Sequence, residues 1–369
     1  MLIKFAVKNF RGFSERIEWD LSHPSNYTFS PYAIKDGVIK NGIIYGPNGS
    51  GKSNFGMAIF DIVNHLTQKN KKAEYYKNYT YGGDPKGQVT FEYTFKFGSR
   101  IVEYRYGKNM FGMLFAESLK VDGAIIFDRL FDSLTLDVDL FPITLAAKKK
   151  LQANANNISI VNYLLASYPL SKNHYLIHLR DFADSMLWFR CLQANEYIGL
   201  ENGVTQLDEY IIKNGLVDDF SEFLKTVSGQ EFSFVKPNQN DKLLVCKFGK
   251  GNNVVLFDEI ASTGTRSLQL LYYWLQKMST ASFVFIDEFD AFYHYKLSFE
   301  VCKRLFSLNC QVFTSSHNTY LMTNELLRPD CNFILQNNII KPLQACTEKE
   351  LRFGHNIEKI YKAGAFHVE

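Results

Sequence analysis

Residues Gly46, Pro47, Asn48, Gly49, Ser50, Gly51, Lys52 and Ser53 spell G-x-x-x-x-G-K-S between a short apolar run and a segment of helical spacing. Glycines without Cβ let backbone N–H groups curl round a phosphate, and the N-terminus of a following helix adds partial positive charge. Lys52 can then reach the β- and γ-oxygens of a nucleotide, Ser53 can offer its hydroxyl to Mg2+, and Asn54 stands beside them in the first turn. The bland alternative is a glycine turn that happens to precede a helix. A second candidate is Phe283-Val284-Phe285-Ile286-Asp287-Glu288, an apolar run that ends in two carboxylates. Asp287 at the strand's end can enter the Mg2+ shell, and Glu288, pointing to the opposite face, can polarise an attacking water as general base. The third is Ser262-Thr263-Gly264-Thr265-Arg266, a small-residue turn opening a helix. Ser262 and the turn's N–H groups can donate to phosphate, although the turn alone also reads as an ordinary N-cap.

These groups need elements to hold them. Period-two alternation predicts a strand over residues 2 to 8, and NGIIY predicts a short buried strand over 41 to 45 that runs into the glycine turn. Phe55, Ile59, Ile62 and Leu66 recur at near-helical spacing and predict one helix after Lys52. QVTFEYTFKF, IVEYRYG and AIIFDRLF, punctuated by Gly98, Gly107 and Gly123, predict antiparallel strands over 88 to 128. From 140 to 235 the spacing turns helical and irregular, and Gly203 and Gly215 interrupt it, so no long coiled coil is expected. Strands return over 243 to 257. A helix near 265 to 278, the strand SFVFID, a helix near 291 to 307, the strand CQVFTSS and a further helix then give the βαβ rhythm of a parallel sheet.

At 369 residues, with 46% hydrophobic and 21% charged residues, the chain has the composition of a folded protein with a substantial core. A net charge of +3 does not by itself announce a nucleic-acid binder. The lysines at 69, 71 and 72 and at 148 to 150 form local basic clusters that read as solvated faces. The cysteines at 191, 246, 302, 310, 331 and 346 make no CxxC pair, which fits free thiols in a reducing cytoplasm. MLIKFAVKNFRGF lacks the apolar stretch of a signal peptide, so a soluble, unexported, cytoplasmic protein without membrane partners is expected.

Taken in order, the glycine loop, a long insertion, S-x-G-x-R, the apolar strand with Asp-Glu, and His317 after QVFTSS resemble the ABC ATPase head of the Rad50, SMC and RecF group. The resemblance implies an α/β fold: an ABC-ATPase head with a mixed or parallel P-loop sheet, an antiparallel β subdomain and an inserted helical arm. The expected division is an N-terminal lobe over 1–139, the arm over 140–235, and a C-terminal lobe over 236–369. It also implies ATP and Mg2+ as cofactors, slow hydrolysis, and a homodimer or higher homo-oligomer joined through the ATP sites. In that group Ser262 and Gly264 of one subunit would cover the γ-phosphate held by the other subunit's P-loop. By the same resemblance His317 is the switch histidine that joins Lys52 and Glu288 in catalysis, and Asp290 to His294 form the loop coupling the two sites. Arg11, in the Asn-Phe-Arg turn, resembles a nucleotide-edge residue. His294 stands where SMC-type heads usually carry aspartate, and Gln88 and Gln152 both remain open as the glutamine-loop residue.

More narrowly, MLIKFAVKNFRGF, DEFDAFYH and TEKELRFGHNIEKIYKAGAF are similar to small AAA/ABC-type ATPases of bacterial antiphage systems, including the ATPase subunits of AbiL-type abortive infection and of PARIS. Those subunits act with a separately encoded, nuclease-like effector, so the resemblance implies such a partner here, and DNA or a phage component is the expected trigger. The residues after Glu288 are too few for an appended nuclease domain, and Asp137-Val138-Asp139 reads as a solvated strand end. A RecF- or Rad50-like clamp enclosing DNA in repair is the second expectation. A transporter subunit ranks last, because the stretch between Ser53 and Ser262 is too long for one.

Overall fold

The computed structural model describes residues 1–67, 69, 73–154, 158–190, 197–200, 206–238, 240–247, 249 and 253–368; Lys71, Lys72, Cys191 and Gly203 lie outside the described residues. Strands β1 (Leu2–Lys8) and β2 (Ile17–Asp20) pair antiparallel, and the small pair β3 (Ile34–Lys35) and β4 (Val38–Ile39) leads into β5 (Asn41–Tyr45). Helices α1 (Lys52–Ile59) and α2 (Asp61–Leu66) follow the glycine loop. Then come the meander β6 (Val89–Phe97), β7 (Arg100–Lys108), β8 (Leu114–Val121), β9 (Ala124–Leu130) and β10 (Ser133–Leu136). Helices α3 (Leu145–Ala153), α4 (Ile160–Ser167) and α5 (Tyr175–Asp184) lead to β11 (Leu187–Arg190) and β12 (Tyr197–Gly199). Next are α6 (Leu207–Lys213), α7 (Val217–Ser228), the pair β13 (Val245–Lys247) and β14 (Val254–Leu256), and α8 (Phe257–Ile260). The chain closes with α9 (Thr263–Lys277), β15 (Phe283–Asp287), α10 (Tyr295–Phe306), β16 (Gln311–Ser315), β17 (Asn332–Gln336), β18 (Ile339–Pro342) and α11 (Ile357–Lys362).

Two seven-stranded sheets carry this α/β fold. One is antiparallel, in the order β10-β9-β8-β7-β6-β1-β2; the other runs β12-β11-β15-β16-β5-β17-β18, with the five middle strands parallel and an antiparallel strand at each edge. Burial follows from the layering. β6 alternates buried and half-buried residues because it packs on one face, whereas all five residues of β5, β15 and β16 are buried because both faces are covered. Helix α1 is the filling between the sheets. Phe55 meets Phe5 and Trp19 of the antiparallel sheet at 5.7 and 5.6 Å, and a Cβ on Gly56 would lie 2.8 Å from the Phe285 ring of the parallel one. Only glycine permits that approach.

The strands at 2–8 and 41–45 fall where the sequence predicts them, as do β6, β7 and β9, but the meander also holds β8 and runs past residue 128 into β10. The helix after Lys52 does not run through: it breaks at Phe60, and α2 starts at Asp61, whose carboxylate is fully buried. The span 140–235 is helical in α3 to α7 but also sends β11 and β12 into the parallel sheet, because Leu-Trp-Phe is an apolar run too short to distinguish strand from helix by period. The expected helix after β16 is replaced by single 3-10 turns and the pair β17–β18. Asp137 accepts the N–H groups of Asp139 and Leu140, a turn at the end of β10. The described cysteines are free and buried, and among the described residues no helix is long and apolar enough to cross a membrane.

Asp61 takes Lys108 Nζ at 2.5 Å, Tyr106 at 2.8 Å, Tyr79 at 2.7 Å and Tyr75 at 3.1 Å. Removing one partner of a buried ion pair strands the other charge, so Lys108→Met should cost about 3–5 kcal/mol in urea denaturation. A loss below about 1 kcal/mol, the range of exposed pairs, would contradict this role.

Candidate active site

Strand order assembles the site. β16 lies between β15 and β5, all three parallel, so the glycine loop after β5, the carboxylates ending β15 and the Ser-Ser-His turn after β16 emerge side by side. Ligands in open α/β sheets bind at such carboxyl ends. Lys52 is buried and donates to the carbonyls of Gly46 and Pro47 at 2.9 and 3.1 Å, so its ammonium closes the loop on itself. Burial lowers its pKa, against the raising pull of Asp287 and Glu288. A Cβ on Gly46 would meet Leu335 O at 2.4 Å and Ser50 Oγ at 2.6 Å. Ser50 Oγ is buried without a partner, an orphan that a phosphate oxygen would satisfy. Pro47, Asn48 and Gly49 form the exposed rim, while Ser53 and Asn54 are half-buried in the first turn of α1.

Asp287 is fully buried and shares the α1 face of β15 with Phe285, two residues before it. Its Oδ1 accepts from Ser315 Oγ at 2.6 Å and its Oδ2 from Arg190. Glu288 adopts φ 50°, a left-handed conformation unusual for a residue with a side chain, and its N–H donates to Ser315 Oγ at 2.8 Å. Ser316 Oγ donates to Asp290 at 2.7 Å, and burial raises the Asp290 pKa. The last residue of β16 and the serine after it therefore hold Asp287 and Asp290, on either side of Glu288. The sequence reading missed Ser315, Ser316 and Arg190; the available signals were the hydroxyl pair before His317 and a cation at the end of an apolar run.

His317 is exposed, and its pKa is lowered first by burial of the ring and then by Lys52, against Glu288 and Asp287. Those charges act on it because the three strand ends converge. Arg11, at φ 48°, lines a cleft with Gly12, Asn54, Tyr76 and Tyr79; its guanidinium donates to Tyr75 O at 3.2 Å and lies 5.7 Å from the Tyr75 ring. The site thus joins Arg11, the loop from Gly46 to Asn54, Asp287, Glu288 and His317.

The Ser262 turn stands apart from α1. Ser262 caps α9 by accepting Thr265 N–H, and Gly264 lies against the Phe292 carbonyl in the loop after β15, 3.0 Å from where its Cβ would sit. Trp188 and Phe189, neighbours on β11, point to opposite faces. Trp188 abuts Gly56 of α1, whereas Phe189 meets Trp274 of α9 at 5.6 Å, so the two helices pack on opposite faces of the sheet. His294 precedes α10 and tilts against Tyr295 at 4.2 Å. Gln88 is exposed just before β6 and Gln152 lies in α3.

A strand-borne glycine loop with lysine and serine, facing two carboxylates across a parallel sheet, defines a P-loop nucleotide-binding protein. Residues 43–323 match the family described as "AAA domain, putative AbiEii toxin, Type IV TA system", and the chain belongs to that family. No curated protein matches the chain. Among solved structures it is similar to an SMC head bound to the C-winged helix domain of ScpA, with 16% identity, TM-score 0.46, and 92% of this chain and 97% of that one covered. It is also similar to the SMC head domain from Thermotoga maritima, with 16% identity, TM-score 0.42, and 92% and 98% covered. The recombination mediator protein RecF, in its RecF-ATPrS structure, gives 12% identity, TM-score 0.40, and 93% and 98% covered.

A histidine held below its ordinary pKa favours folding above about pH 6.5, and that contribution is lost as pH falls through the lowered folded value. Because the Lys52 charge is part of the cause, Lys52→Met should move the His317 midpoint upward in an NMR titration. A midpoint that stays put would place the two side chains out of electrostatic reach.

Proposed function

We propose that the chain binds and slowly hydrolyses ATP with Mg2+ as a regulatory subunit of an antiphage defence system, its nucleotide-driven self-association holding or releasing a separately encoded, nuclease-like effector. The observation that carries the ATPase part is the convergence of Lys52, Asp287, Glu288 and His317 at three adjacent strand ends. The cradle fits the nucleotide: Gly46 has no room for a Cβ, and Ser50 Oγ lacks a partner. Ser53 and Asp287 would hold Mg2+, which supplies charge neutralisation between the phosphates. Lys52 would exchange its two loop carbonyls for phosphate oxygens, and Glu288 would accept the proton of the attacking water.

Self-association is supported by α9 packing on the sheet face opposite α1, which leaves the turn of exposed Ser262 and Thr263 and half-buried Gly264 to serve a second copy's nucleotide. The defence role is supported by membership of a family whose description names a toxin of a type IV toxin–antitoxin system. It is supported as well by the likeness of both ends of the chain to antiphage ATPases.

Lys52→Ala should abolish nucleotide binding in calorimetry. Glu288→Gln should retain binding, slow hydrolysis by about 10²–10⁴-fold, and accumulate a nucleotide-bound dimer in sizing experiments. Parental turnover by Glu288→Gln would remove Glu288 as the base. Co-purification with neighbouring gene products, with and without ATP and Mg2+, tests the regulatory role. A partner whose retention changes with nucleotide supports it, whereas ATP-raised, salt-sensitive DNA affinity with no partner favours a DNA clamp.

A further inference from the structure

Both oxygens of Asp287 are engaged. Ser315 Oγ donates to one, and Arg190 directs Nε and Nη2 onto the other at 3.1 and 3.0 Å. The arrangement is built into the sheet. β11 runs parallel to β15 with Arg190 in register with Asp287, so the two side chains leave neighbouring strand ends on one face. The Asp287 side chain has no exposed surface and that of Arg190 is 20% exposed, its guanidinium lying 6.0 Å from the Trp188 ring two residues earlier.

We infer that Arg190 is a positioning residue that competes with the divalent cation for Asp287. The inference rests on the proposal that Asp287 belongs to the metal's shell. A buried carboxylate cannot remain uncompensated, and Arg190 supplies a cation for it. A divalent ion drawing on the same carboxylate meets that guanidinium as a like charge and as a rival for the oxygen lone pairs. Loading the metal therefore displaces Arg190 from Oδ2, while Ser315 can stay on Oδ1. Because Arg190 ends β11, the strand into which α3, α4 and α5 feed, occupancy of the metal site is coupled to the position of that strand's end. The coupling is reciprocal: anything that holds Arg190 on Asp287 weakens the metal, and the metal weakens that hold.

The test is Mn2+ binding to the full chain with saturating ATP, followed by electron paramagnetic resonance, for the parent, Arg190→Ala, Arg190→Lys and Asp287→Asn. Arg190→Ala should tighten Mn2+ by about tenfold, within the usual range of site coupling, with Arg190→Lys in between. Metal-free nucleotide affinity should be unchanged. Without metal, Arg190→Ala should melt earlier than the parent and recover on adding Mn2+, a rescue that a merely structural arginine would not give. Unchanged or weaker Mn2+ binding in Arg190→Ala, with Asp287→Asn losing the metal, overturns the inference and leaves Asp287 as a metal residue. Full Mn2+ binding by Asp287→Asn overturns both. If Arg190→Ala fails to fold, Arg190→Lys and Arg190→Gln make the same comparison.

Discussion

A carboxylate sealed from water directly behind the P-loop helix organises this molecule. Asp61 begins α2, and its charge is met by Lys108 and Tyr106 from β7 and by Tyr75 and Tyr79 from the chain before β6. An ion in a low-dielectric interior is tolerable only when its partners are complete, so these five residues hold one another in place. They join three things the nucleotide site needs: the helix that opens with Lys52, the antiparallel sheet packed over it, and the wall of the cleft where Arg11 and Asn54 lie. Tyr79 belongs to both the charge cluster and that wall.

A second buried acid does related work further along the same sheet. Glu117 on β8 pairs with Arg129 of β9 at 2.8 Å and accepts the Ser159 hydroxyl and the N–H groups of Ile160 and Val161. It thus sits on the positive end of α4, where a carboxylate is favoured. The helical segment is pinned to the antiparallel sheet at one end and enters the parallel sheet as β11 at the other. Asp287 completes the series, since its burial draws Arg190 across from β11. Each acid lies where two parts of the fold meet, and the ion pairs specify how those parts join.

Much of this was legible in the sequence, for physical reasons. Gly46 to Ser53 and Asp287-Glu288 stand out because phosphate and metal chemistry demand particular residues at fixed spacing, and strands buried on both faces read as apolar runs. The antiparallel meander was equally plain from its alternation. Leu187 to Arg190 was not, because a three-residue apolar run has no period to detect. Ser315 and Ser316 were passed over because small hydroxyls acquire meaning only from what they face. The break at Phe60 was hidden too: the apolar positions continue through it, and only the burial of Asp61 shows why the axis is interrupted. The order of motifs led to the α/β head, while the contacts among Arg190, Asp287 and Ser315 depend on strand register, which spacing along one strand does not encode.

The first glycine of the loop has a mechanical consequence. Gly46 rests against the Leu335 carbonyl of β17 with no space for even one more carbon, whereas Pro47, Asn48 and Gly49 face solvent. The loop is therefore stiff toward the sheet edge and compliant outward, like a valve leaf seated on one side only. When Lys52 gives up the carbonyls of Gly46 and Pro47, the give in the loop is confined to the rim. Anything that lies across that rim would feel the site fill.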